Sequence, residues 1–139
     1  MSSNKFISSY ETESIPEGYE LLLYKDIDSV KEKTIDKIYM TDFLDGYSDM
    51  KIPEHINILI SKLSDGGELH IQGLDFNKFC SYIHMRAVPW TQKIEVYRHR
   101  RNCQNLPSVE MLLASTGIKV TNKRYVNGYY YYICCKKEK

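Results

Sequence analysis

Glycine is scarce in the part of this chain where a ligand-binding α/β fold most needs it. Seven glycines are spread over 139 residues, and Gly18 alone precedes Gly46. Backbone that must approach a phosphate or a sugar needs glycine, because a Cβ blocks the approach. A glycine-rich ligand loop is therefore excluded from the first third of the chain. No apolar run reaches the length of a membrane span, and the first residues carry no apolar signal region. The expected location is cytoplasmic, with no membrane partner.

Charge of one sign is also lacking. The formal net charge is +1, which gives no whole-chain argument for nucleic acid or an anionic surface. No Asn-x-Ser/Thr site occurs. Cys80, Cys103, Cys134 and Cys135 have no paired metal spacing, and the adjacent pair in a strand would point to opposite faces. All four read as reduced thiols, and no metal is expected. What is abundant is tyrosine, twelve residues, alongside Lys, Ile and Asn. That composition suits an AT-rich genome of the kind many phages carry.

The length fits one domain with a real core. Residues 1–18 are polar and read as a loose arm ending in the Pro16-Glu17-Gly18 turn, followed by a single domain over 19–139. Leu21–Tyr24 is a short apolar strand. Ile35–Phe43 is mostly apolar with carboxylates at its ends, which suits a central strand buried on both faces. In the next segment Ile52, Ile56, Leu59, Ile60 and Leu63 form one helical stripe, and Pro53 suits its first turn. Asp65-Gly66-Gly67 is expected to stop that helix, and Glu68–Gln72 to be the next strand.

Asp75 is placed to cap a helix whose inner face is Phe76, Phe79, Cys80 and Ile83. A further helix runs over 108–115, with Gly117 as its stop. Asn127-Gly128 between 118–126 and 129–135 is a strong hairpin signal. The order of elements describes an open α/β sheet, mostly parallel, with an antiparallel hairpin at its end. His70 alternates with Glu68, so both project to one face of their strand, most simply as a polar edge.

Four phrases then carry a resemblance: IDKIYMTDFLDGY, KLSDGGELHI, the strand-end GLD, and LLASTGIKV followed by GYYYYICCKK. From about Ile35 to the end, the chain resembles the C-terminal half of a class I S-adenosylmethionine-dependent methyltransferase. The resemblance implies a truncated, Rossmann-like methyltransferase fold. It departs from that family at the glycine-rich cofactor loop, which is missing. By the resemblance, Asp42 and Asp45 lie where the family places residues near the transferred methyl group, and are candidate catalytic groups. Asp26 and Asp28 are candidates for the acid that holds the cofactor ribose, and Asp75 lies on the ligand-binding edge. Solvated carboxylates, turn residues and a helix cap are the plainer readings of the same aspartates.

A separate basic segment interleaves Arg98, Arg100 and Arg101 with aromatics, a pattern suited to phosphate contact and base stacking. In a near-neutral chain, a solvated face is the plainer reading. With the cofactor half absent, the edge of the Ile35 strand would be covered only by Leu21–Tyr24, and an exposed edge invites pairing. The expectation is a homo-oligomer or a subunit of a larger assembly, in a host cytoplasm or a virion if the source is viral. The leading functional reading is a methyltransferase-like protein without cofactor that serves as a binding or structural subunit. The alternatives are an active S-adenosylmethionine-dependent methyltransferase with a reduced or intersubunit site, and an accessory protein that binds nucleic acid.

Overall fold

The computed structural model describes residues 3–85 and 102–139. The candidate arginines at 98, 100 and 101 lie outside the described residues. Six strands form one sheet in the order β2-β1-β3-β4-β6-β5: β1 (Asn4–Ser8), β2 (Glu20–Leu23), β3 (Ile35–Thr41), β4 (Leu63–Leu74), β5 (Lys119–Val126) and β6 (Tyr130–Lys136). β1 pairs in parallel with both β2 and β3, and β3 in parallel with β4. β6 is antiparallel to β4 and to β5. The helices are α1 (Ile52–Lys62), α2 (Phe76–His84) and α3 (Leu106–Ser115). A 3-10 turn follows β2 at Tyr24–Ser29, and a shorter one spans Leu44–Gly46.

The N-terminal segment departs from the loose arm expected of it. Asn4–Ser8 is a strand inside the sheet, between β2 and β3. Its anchor is Asp36, which accepts the Ser3 N–H at 2.8 Å and the Ser64 hydroxyl at 3.0 Å. The Ser3 bond, then the Ser64 bond, hold that carboxyl below the usual range. β1 therefore covers the β3 edge that the sequence leaves bare. The free edges are the four-residue β2 and the lysine- and arginine-bearing β5, both of the kind that resists edge pairing.

The Gly-Gly phrase also behaves differently from expectation. α1 ends at Lys62 and β4 begins at once, with Leu63 already extended. The last carbonyls of α1 are met from elsewhere in the chain. Lys33 N donates to Ser61 O and Thr34 N to Lys62 O, while Lys137 Nζ donates to Ile60 O at 3.0 Å and Leu63 O at 2.9 Å. A glycine cap is not needed once those acceptors are satisfied. Gly66 and Gly67 instead form a bulge in β4, where pairing jumps from Ile35–Leu63 to Lys37–Glu68. Gly66 has φ +79, and a Cβ on Gly67 would lie 2.9 Å from Ser64 O and 3.1 Å from Asp36 O.

The two faces of the sheet differ. On one, Ile7, Ile38, Met40, Leu69, Ile71, Ile133 and Cys135 are buried against α1 and α3 through Ile56, Leu59, Val109 and Leu113. Each such side chain stabilises the fold by about 1.5–3 kcal/mol. β3 is thus buried on one face, not both. Its second face carries Lys37, exposed, and Tyr39, half-buried. Across that second face runs a row of rings: Phe6–Tyr39 stacked at 6.0 Å, Tyr39–His70 stacked at 6.0 Å, His70–Tyr132 at 5.9 Å, then the Arg124 guanidinium 4.8 Å over the Tyr132 ring. Tyr19 meets Tyr39 edge-on. α2 packs at the Leu74–Tyr130 end of this face. The β1–β2 connection, residues 9–19, carries no helix.

The terminal hairpin forms as its sequence predicts. Asn127 (φ 53) and Gly128 (φ 89) both adopt the left-handed conformation of a tight hairpin turn.

Candidate functional site

Open α/β sheets take ligands at the carboxyl ends of their strands. At the ends of β1 and β2 there is a surface pocket of about 620 Å³, bordered by Glu11, Glu13, Leu21, Leu23 and Asp26. Its charged lining is acidic, with Thr12 as a neutral polar neighbour. Gly18, the glycine of this region, has φ +85 with nothing within 4 Å of a Cβ built on it. It makes the turn into β2.

Beside the pocket, the ends of β2 and β3 are closed by aromatic packing. Tyr24 meets Phe43 at 4.9 Å and His55 at 5.1 Å, and Tyr47 lies 4.1 Å from His55 and 5.1 Å from Phe43. The Tyr24 hydroxyl is 2.6 Å from His55 Nδ1. Burial pushes the Tyr24 phenol up to about 12 and lowers the His55 imidazole below its ordinary value. The loop from β3 to α1 is held under this cluster by Asn102, which donates to Leu44 O at 2.7 Å and Tyr47 O at 2.8 Å, and by Gln104, which donates to Asp49 at 2.7 Å. His55 is thus a packed residue of the site region.

The candidate aspartates occupy different settings. Asp26 and Asp28 are exposed in the 3-10 turn after β2, and only Asp26 borders the pocket. Asp42 is exposed just past β3 in a left-handed conformation (φ 58), its N–H donating to Gln72 O at 2.9 Å. Asp45 sits in the Leu44–Gly46 turn, and its side chain lies outside what the structure describes. Asp75 is 1 % exposed and committed to the fold. One oxygen accepts Lys78 N at 2.9 Å and caps α2; the other accepts Leu106 N at 2.8 Å in the first turn of α3. One carboxylate thereby joins two helix N-termini.

A second cluster lies on the ring-bearing face. Strand register sets His70 opposite Cys134, with Glu68 two residues before His70 on the same face. Glu68 Oε2 is 3.5 Å from His70 Nε2, and Cys134 Sγ is 4.0 Å from that same nitrogen. The Tyr132 hydroxyl is 2.6 Å from the other ring nitrogen, Nδ1. Burial lowers the His70 pKa, opposed by the Glu68 charge, and raises the Tyr132 phenol to about 12. Cys135 faces the core, where burial pushes its thiol up to about 12. Linear spacing contains no metal set, yet pairing of β4 with β6 assembles carboxylate, imidazole and thiol with their ligand atoms all within 4.8 Å. The signal available in sequence was the Glu68–His70 alternation; its third member comes from a strand 64 residues on.

Among the described residues, no helix is long and apolar enough to cross a membrane. No protein-family model matches the chain. No curated protein matches it either. Solved structures do. An S-adenosylmethionine-dependent methyltransferase from Thermotoga maritima, described as a possible histamine N-methyltransferase, superposes with a TM-score of 0.68 at 14% identity over 99% of this chain and 83% of its own. A methyltransferase from Archaeoglobus fulgidus gives 0.66 at 11% identity over 98% and 86%. Human N-acetylserotonin methyltransferase, solved with S-adenosylmethionine, gives 0.62 at 15% identity over 99% and 41%. The likeness spans the N-terminal strands as well as the segment from Ile35 onward. The chain has the fold of the class I S-adenosylmethionine-dependent methyltransferases.

Proposed function

We propose that this protein is a methyltransferase-fold subunit that does not use S-adenosylmethionine and acts by binding a partner. The observation that supports this reading is the aromatic packing beside the pocket, at the ends of β2 and β3. Tyr24, Phe43, Tyr47 and His55 pack ring against ring at the ends of β2 and β3. The 9–19 connection holds one glycine, Gly18, which stands in the turn into β2. A cofactor of that size is held by backbone N–H groups at close range, which glycine-rich turns present in open α/β folds.

The partner is a second copy of this chain or another protein, and the ring-bearing face is the surface offered to it. Calorimetry with S-adenosylmethionine and with its demethylated product tests the reading: no heat of binding is expected, and saturable micromolar binding by the purified protein would sink it. Light scattering tests assembly. A clean monomer at micromolar concentration argues against self-association and leaves a different protein as partner.

A second reading, an active methyltransferase with a reduced cofactor site, is favoured by one observation. Asp26 borders the pocket at the end of β2, with Glu11 and Glu13 across it, and an acid at a strand end is suited to a ribose diol. Under that reading Asp26→Asn abolishes cofactor binding, and Asp28→Asn does not.

A further inference from the structure

We infer that Glu68, His70 and Cys134 form a binding site for a divalent transition metal of the zinc type. The site is separate from the strand ends discussed above, and the inference stands whether or not the protein binds S-adenosylmethionine.

The donor set is the first reason. Imidazole, thiolate and carboxylate are the three side chains zinc takes, and a borderline-soft ion suits the mixture better than magnesium or calcium, which prefer oxygen alone. Distance is the second. With zinc bonds of about 2.0–2.3 Å, tetrahedral geometry sets neighbouring ligand atoms about 3.4–3.6 Å apart. Here Nε2 to the Glu68 oxygen is 3.5 Å and Nε2 to the Cys134 sulfur 4.0 Å. All three ligand atoms lie within 4.8 Å of one another, and a bound metal would draw the widest pair together by side-chain movement.

Direction is the third reason. Both Glu68 and Cys134 meet His70 at Nε2, so the three groups converge on one point. A nucleophilic triad requires the carboxylate at the far nitrogen, orienting the base from behind. That far nitrogen is taken by Tyr132, at 2.6 Å. With Nδ1–H donating to the phenolic oxygen, Nε2 keeps its lone pair for a metal, and the ring is held in place by a hydrogen bond at its other nitrogen, as metal-binding histidines are, here to a phenol in place of the usual carboxylate or carbonyl. The strands supply rigidity, because His70 and Cys134 are directly paired across β4 and β6. Cys135 points to the other face, and Cys80 and Cys103 are exposed elsewhere. Three protein ligands leave a fourth position for water or a ligand from outside.

Cobalt(II) titration of the intact chain is the test. The expected result is one cobalt per chain, with a thiolate-to-cobalt charge-transfer band in the near ultraviolet and the visible bands of a tetrahedral site, both lost on adding zinc. Cys134→Ser and His70→Ala should remove the charge-transfer band, while Cys80→Ser and Cys103→Ser leave it. Tyr132→Phe should weaken binding by about 10- to 100-fold. Circular dichroism checks that each variant is folded. Glu68→Gln, on a half-exposed carboxylate, gives a second route to the same answer if Cys134→Ser unfolds, through a loss of affinity at unchanged fold. Absence of the charge-transfer band in the wild-type chain, or its survival in Cys134→Ser, overturns the inference. So does wild-type affinity in Glu68→Gln.

Discussion

The Tyr132 hydroxyl stands 2.6 Å from Nδ1 of His70, and these two residues sit on neighbouring strands without being paired in register. Gln72 is opposite Tyr132 and Cys134 is opposite His70, so the contact is a diagonal one across the sheet. Diagonal neighbours lie within reach of long aromatic side chains. The arrangement leaves the register partner of His70 to be a thiol, and turns the ring so that its second nitrogen faces that thiol.

Gly73 is expected to reject a side chain. A Cβ there would lie 2.6 Å from Tyr131 Oη and 2.9 Å from Cζ, and Tyr131 is fully buried. Gly73→Ala should lower stability by about 1–3 kcal/mol through overpacking. In a Tyr131→Phe background the penalty should shrink, because the nearest clashing atom is gone. Urea unfolding of the four proteins measures the coupling, and strictly additive effects would contradict this packing account.

Asp75→Ala removes the acceptor for two helix starts at once. Loss of the α2 cap together with a buried Leu106 N–H left without its carboxylate should cost about 2–4 kcal/mol. Asp75→Asn keeps one good acceptor and should fall between wild type and alanine. Thermal unfolding distinguishes them. An Asp75→Ala protein as stable as wild type would mean that neither helix depends on this carboxylate.

Stability should fall on mild acidification. Burial lowers the folded-state pKa of His55 below its ordinary 6.5, and that of His70 likewise. The unfolded chain then binds the proton more readily than the folded one. The contribution is complete above the unfolded value and is lost as pH drops through it towards the folded values. Urea midpoints should decline from about pH 7.5 to about pH 5.5, and His55→Gln should flatten part of the decline. A midpoint that rises on acidification would reverse the assigned sign. The lowered carboxyls of Asp36 and Glu32, from the Ser3 backbone bond and from the Lys62 bond respectively, act in a separate and more acidic window.

Lys137→Met should loosen the end of α1. The ammonium bonds to Ile60 O and Leu63 O would be lost, at about 1–3 kcal/mol for charge-assisted bonds. Hydrogen exchange should quicken in the last turn of α1 and at the bulge behind it. Unchanged protection there would show that the Lys33 and Thr34 N–H groups suffice to close the helix.

The elements with strong local patterns were legible from residues alone. The α1 stripe of Ile52, Ile56 and Leu59, the β3 run and the Asn127-Gly128 hairpin all form where their periodicity and turn chemistry put them. β1 was not legible, because its five residues hold only Phe6 and Ile7 as large apolar groups between polar neighbours. What makes it a strand is pairing on both sides and the Asp36 anchor, neither of which is local. The Gly66-Gly67 bulge was hidden for the same reason: the groups that terminate α1 come from Lys33, Thr34 and Lys137. Among site residues, the Asp75 cap was readable from its place before a helix, but the second bond to Leu106 was not. His70 with Cys134 becomes visible only once register is known.

β2 hydrogen-bonds to the sheet through β1 alone, since β1 separates it from β3. Whenever Asn4–Ser8 detaches, β2 loses its hydrogen-bonding partner in the same event. The first two strands should therefore open and close as one cooperative unit, while β3, β4, β6 and β5 stay paired. A binding partner that needs the pocket at the ends of β1 and β2 would be sensing that opening equilibrium, and would stabilise the amino-terminal third of the chain far more than the rest.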